Sequence, residues 1–334
     1  MWSFALRIGI VSAFGVLTGC SGLARQRVVP VAPNNPTVEH SWMAPVASAG
    51  DLLYASDGAS NTVYVFSYRR AELLGELTGL PGDALTVCSD REGDVFVGVY
   101  ASGNNKIVEY AHGGTQPIET LSAPGEPTGC SVDAGTGNLA AALYTYTSAP
   151  GSVAVYQEAQ GTPTVYTDPN IPYVSDCAYD DKGDLFVSGA NDQGFALGEL
   201  PAGGTTMQDI LVKGKIGGQF FQPIGWDGRY LAIGDFIGSS QQYVLYRVKV
   251  VGKVGRIVGT SSYALAHGNF SGDSRFWIQG STALFPTENF NRRGSRASQI
   301  GYWAYPSGGN REMETKEIGS PYVAGVTVSV GNQR

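Results

Sequence analysis

Asp57, Asp192 and Asp235, with Asn61 and Asn191 near them in the chain, have the side chains best suited to hold a cation. Carboxylate and amide oxygens are the ligands that a hard ion such as Ca²⁺ takes, and a carboxylate at a channel mouth can act as a general base in hydrolysis. Against this stands ordinary turn chemistry, since Asp or Asn just past a strand bonds its own backbone two residues on. We expect capping to be the main duty of these residues and Ca²⁺ to be their only candidate cofactor.

A second set is sulfur. Cys88, Cys130 and Cys177 recur five to seven residues before a glycine in three consecutive stretches of the chain. Three thiolates around one channel would suit a soft metal. Packed sheets lie about 10 Å apart, whereas a disulfide needs Cα atoms within about 7 Å, so the expectation is three small buried core residues. A third set is aromatic and basic. The stretch Ser281–Ser298 reads as the longest loop of the chain and carries Phe285, Phe290, Arg292, Arg293 and Arg296; other loops bring Tyr100, Tyr144, Tyr146 and Phe236. Arginine beside aromatic rings can grip carboxylates, glycans or a protein partner.

Composition narrows the functions these groups can serve. The formal charge of −7 argues against nucleic acid, which is bound by clustered Lys and Arg. His40, His112 and His267 are the only histidines and lie far apart, so a zinc site or a His-based dyad has little to draw on.

The first twenty residues have the layout of a secretory signal, with Arg7 followed by the apolar run Ile8–Leu17. That run is too short to span a bilayer, which takes roughly 20 residues. It ends in Leu17-Thr18-Gly19-Cys20, which resembles the bacterial lipoprotein signal and its lipobox. The resemblance implies lipidation of the Cys20 thiol, cleavage before it, and a lipid-anchored protein outside the cytoplasm in the cell envelope. A Pro-rich stretch through Val29–Pro36 then reads as an extended tether. The expected organisation is a signal over 1–19, lipidated Cys20 with its tether over 20–41, and one folded domain over 42–334.

That domain is repetitive. A glycine followed by a short apolar strand occurs at Gly50, Gly93, Gly137, Gly183, Gly228 and Gly272, with spacings of 43, 44, 46, 45 and 44. Glycine supplies the positive φ of tight strand-to-strand turns, so each is expected to mark a hairpin. A proline-led strand precedes the glycine, an alternating strand such as Thr62–Tyr68 or Ser152–Tyr156 follows it, and a weaker fourth strand ends the unit. Four strands per roughly 44 residues is the size of a propeller blade. The fold class is therefore all-β, a six-bladed propeller of four-stranded antiparallel blades. The C-terminal run 321–330 copies the proline-led strand and is expected to close blade 1, with Trp42–Ala49 as a competitor for that place.

The recurring proline-led strand, Asp, Gly-Asp/Asn, Leu-Phe/Tyr-Val and Val-Tyr-Val-Phe/Tyr resemble the NHL-repeat and SMP-30/gluconolactonase-like group of six-bladed propellers. Metal-dependent lactonases of that group use a few carboxylates and amides at the channel mouth. This sequence has no clear Glu-Asn-Asp set at matching blade positions. The leading expectation is a non-enzymatic, monomeric envelope lipoprotein that offers a loop-rich propeller face to a small ligand or a protein. The alternative is a metal-dependent hydrolase of the lactonase or lyase kind.

Overall fold

The structure is a computed structural model that describes residues 40–145, 150–217, 221–238, 240–271, 274–290, 296–320 and 322–331. Cys20, Tyr146, Arg292 and Arg293 lie outside the described residues, as do the side chains of Phe290 and Arg296. The described strands form six sheets, each a blade of a β-propeller built on four antiparallel strands. Burial falls from the inside of a blade outwards. All six residues of the second strand of blade 1, Leu52–Asp57, are buried, while the outer strand of blade 2, Pro117–Ser122, buries only Leu121. A strand covered on both faces by neighbouring blades reads as a continuous apolar run. An outer strand has no such demand on it, which is why its sequence pattern is weak.

The C-terminal strand closes the ring. Val323–Ser329 pairs antiparallel with Leu52–Asp57, from Leu52 opposite Ser329 to Asp57 opposite Val323. Ser89 of the next blade bonds Thr327 Oγ1 and donates to the Val328 carbonyl, both at 2.9 Å. The competitor takes another place: Trp42–Met43 pairs on the outer strand of blade 1, and Pro45–Ala49 is a 3-10 turn.

Four of the expected glycine hairpins hold, with φ of +95° at Gly93, +73° at Gly137, +84° at Gly183 and +87° at Gly228. Each turn opens on an Asp (Asp90, Asp133, Asp180, Asp227) whose Oδ1 accepts a backbone N–H inside the turn at 2.8–3.0 Å. The first and last anchors differ. Gly50 is extended at φ −164°, because the inner strand it should turn from comes from the other end of the chain. In blade 6 the hairpin between Trp277–Gln279 and Thr282–Phe290 carries its glycine at Gly280, φ +59°, and Gly272 lies outside the described residues.

Two further expectations are corrected. Ser281–Ser298 is not a long loop, since Thr282–Phe290 and Arg296–Ala304 pair along their whole length. Pro286 within it suggests a strand breaker. It is tolerated because a residue's N–H and C=O point to the same neighbour in an antiparallel pair. Pro286 turns that edge towards the inner strand where that strand is interrupted, and only its carbonyl is used, by Ser271 N. Cys88 and Cys130 are not separate core residues but a disulfide with Cα atoms 5.7 Å apart. The 10 Å sheet spacing applies where blades lie face to face, whereas inner strands converge on the axis. Cys177, one blade further round, is a buried free thiol.

Candidate functional site

Inner strands converging on an axis leave a central space whose walls they supply. In blades 1 to 4 each inner strand carries a one-residue bulge, at Ala324, Leu85, Thr128 and Ser175. A bulge takes its residue out of the ladder, so its carbonyl needs another donor. Arg275, from the interrupted inner strand of blade 6, supplies three. Its backbone N–H donates to Ala324 O at 2.9 Å, and its guanidinium donates to Leu85 O at 3.3 Å and Ser175 O at 3.0 Å. The guanidinium also lies 5.0 Å from the centre of the Phe221 ring.

Asp176 completes this junction. Its Oδ1 lies 3.3 Å from Arg275 Nε, and it accepts from Cys177 N at 2.9 Å and Ile224 N at 3.1 Å. Gly129 faces it across blade 3, where any Cβ would collide with the carboxylate. One residue from every blade therefore meets at a single level of the axis, and the polar groups there are engaged with one another. Burial pushes the Asp176 carboxyl up to about 6 despite the opposing pull of Arg275.

Beyond that level the axis widens into a funnel of about 340 Å³. Trp226, Ile224, Phe276, Trp277, Ile278 and Val326 give its wall an apolar, aromatic character, and Cys88, Cys130 and Cys177 add sulfur near the floor. Asp180, Asp181 and Gly228, which belong to hairpins joining inner and second strands, lie at its mouth. The buried indole N–H of Trp226 has no acceptor among the described residues.

The residues singled out from the sequence lie elsewhere. Tyr100, Tyr144 and Phe236 sit at or near the far ends of second strands, on the face opposite the funnel mouth. Phe285 is not on a binding loop at all. It is 1% exposed, packed with ring centres 4.7 Å from Tyr243, 4.8 Å from Tyr263 and 5.3 Å from Trp303. The three aspartates are kept apart in blades 1, 4 and 5. Asp57 is used by Ala59 N at 2.9 Å, Ser60 Oγ at 2.5 Å and Ser320 Oγ at 2.7 Å, and Asp235 by Gly217 N at 2.9 Å. Asp192 is exposed. Among the described residues no three His, Cys, Asp or Glu side chains group as metal ligands.

Sequence reasoning passed over Arg275, Asp176, Trp226 and Trp277. The signal for the first two was available: a single charge inside an apolar inner-strand run, as in Val174-Ser175-Asp176-Cys177-Ala178.

No family model matches the chain, and no curated protein sequence does. Among solved structures it is similar to a functionally unknown protein from Desulfotomaculum acetoxidans, with a TM-score of 0.55 and 11% identity over 84% of this chain and 99% of that one. TolB from Acinetobacter baumannii aligns with a TM-score of 0.57 and 10% identity over 85% and 67% of the two chains. A chain of a nidogen/laminin complex aligns at 0.55 and 11% over 85% and 99%. At such identities the likeness is one of fold.

Proposed function

We propose that this propeller is a non-catalytic binding module of the cell envelope, held at a membrane by acyl chains on Cys20. It receives a small aromatic or apolar ligand in the axial funnel. One observation carries the ligand reading. The charged groups on the axis are spent on each other and on backbone, while the open end beside them is lined by aromatic and apolar side chains. Pockets that bind small molecules have this make-up, mostly apolar walls with a few placed polar groups. A hydrolase of the lactonase kind would use the carboxylates that the sequence singled out. Asp57 and Asp235 serve their own surroundings instead.

The test is a ligand screen read by tryptophan fluorescence on the full-length protein, repeated on Trp277→Ala. A hit should quench the wild type and weaken by about tenfold or more in the variant, as expected for loss of a buried aromatic contact. Hits that bind the variant equally well, or a stoichiometric ion retained after purification in calcium, would sink the funnel reading. The anchor is tested separately by incorporation of labelled fatty acid, which Cys20→Ala should abolish.

A further inference from the structure

Blade 5 departs from the others in length and in charge. Its third and fourth strands, Gln242–Val251 and Val254–Ala264, have 10 and 11 residues, against five or six for the third strands of blades 1 to 3. In a chain of net charge −7, the stretch 211–264 holds seven of the 22 Lys and Arg and only two acids, Asp227 and Asp235. Both acids are engaged within the fold, Asp227 with Arg247 at 2.9 Å and Asp235 with Gly217 N.

Strand alternation decides where the excess charge points. On one face of Gln242–Val251, Tyr243 and Leu245 are buried against blade 6, and Arg247 lies over the Tyr230 ring. Further along that face, Lys249 and Val251 run past this contact and are exposed. The opposite face, with Val248, Val250 and Ile257, packs towards blade 4. The outermost strand, Leu211–Lys213, pairs parallel on the same hairpin. Its register places Lys213 opposite Arg256, which is opposite Lys249, and Leu211 opposite Val254, which is opposite Val251. Two rows thus cross three strands side by side, one of three cations and one of three apolar side chains. Leu211 and Val251 are 65% and 67% exposed.

Like charges directly opposite each other in a sheet are unfavourable. None of these three cations has a carboxylate partner among the described residues. We propose that the protruding hairpin edge of blade 5 docks on an anionic lipid surface, the basic row meeting headgroups and the apolar row entering the interface. An acidic polymer would satisfy the cations and leave the exposed Leu211 and Val251 in water. A lipid surface accommodates both rows, as it does for other amphipathic faces with Lys and Arg beside apolar side chains. The inference does not need the acyl anchor, because the edge has its own charge and apolar area.

The full chain is mixed with vesicles of phosphatidylglycerol with phosphatidylcholine, or of phosphatidylcholine alone, and amide exchange is followed. Residues 249–256 should exchange more slowly on the anionic vesicles only. The triple change Lys213→Gln, Lys249→Gln, Arg256→Gln should remove the difference, by about fivefold per cation and roughly a hundredfold for three. Val251→Ser should reduce it in part. Exchange in the inner strands reports that each variant is folded. Equal exchange on both surfaces overturns the proposal. So does equal slowing by soluble polyglutamate that Val251→Ser leaves unchanged, which would assign the edge to an acidic polymer. Vesicle flotation through Cys20 reads the anchor on either lipid, so failure of one idea is distinct from failure of the other.

Discussion

Arg275 and Asp176 are 8% and 4% exposed at their side chains, and such pairs seldom add net stability, because desolvation offsets their attraction. The raised Asp176 carboxyl says which term is larger here. With its value near 6 in the fold, up from 3.8, the native state holds the proton more tightly than the unfolded chain does. Stability from this group is therefore complete below about pH 4 and lost as pH rises through 6, by up to about 3 kcal/mol. Asp176→Asn removes that loss, so its stability relative to the wild type should improve between pH 4 and 7.5. Arg275→Met leaves a buried carboxylate without its cation and should become more destabilising over the same interval. Urea unfolding of the three proteins at both pH values decides the matter. Opposite slopes are required, and parallel slopes would refute the assignment.

At the scale of the element, the last blade is where periodicity misled. Four hairpin glycines kept their interval because each follows an uninterrupted inner strand, and those were legible as Gly93, Gly137, Gly183 and Gly228. In blade 6 the inner strand breaks between Phe270 and Trp277 to deliver Arg275 to the axis, and the turn moves to Gly280. An interval cannot reveal a residue whose reason lies in the carbonyls of three other blades. The same break hid Phe285, because the shifted turn puts a strand where the interval of the other blades places a loop. If the hairpin 282–304 is packed as described, Phe285→Ala should cost about 3–5 kcal/mol, the usual range for a buried ring. A loss under about 0.5 kcal/mol, typical of exposed sites, would return the segment to the surface. The disulfide was missed for a related reason: sheet spacing is not constant along a blade, and chain pattern alone carries no radius.

For the whole molecule, the count of blades, the four-strand unit and the closing segment could all be read from the chain, because each follows from local pattern. The axis could not, because it is made of single residues from six separated stretches. Closure through Val323–Ser329 makes the ring depend on its last strand. Stopping the chain before Val323 would expose the edge of Leu52–Asp57 and remove the hydroxyl of Thr327 and the carbonyl of Val328 that Ser89 uses. Open strand edges recruit other chains. The truncated protein is expected to lose cooperative unfolding and to aggregate by light scattering, and a monomeric, cooperatively melting product would contradict the closure described above.

The stopper formed by Arg275, Asp176 and Phe221 also governs traffic. A tube open at both ends could pass a molecule from one side to the other, but among the described residues this one is crossed by Arg275 and Asp176. The proposed ligand, entering between the hairpins, would meet that barrier and leave by the doorway it came in.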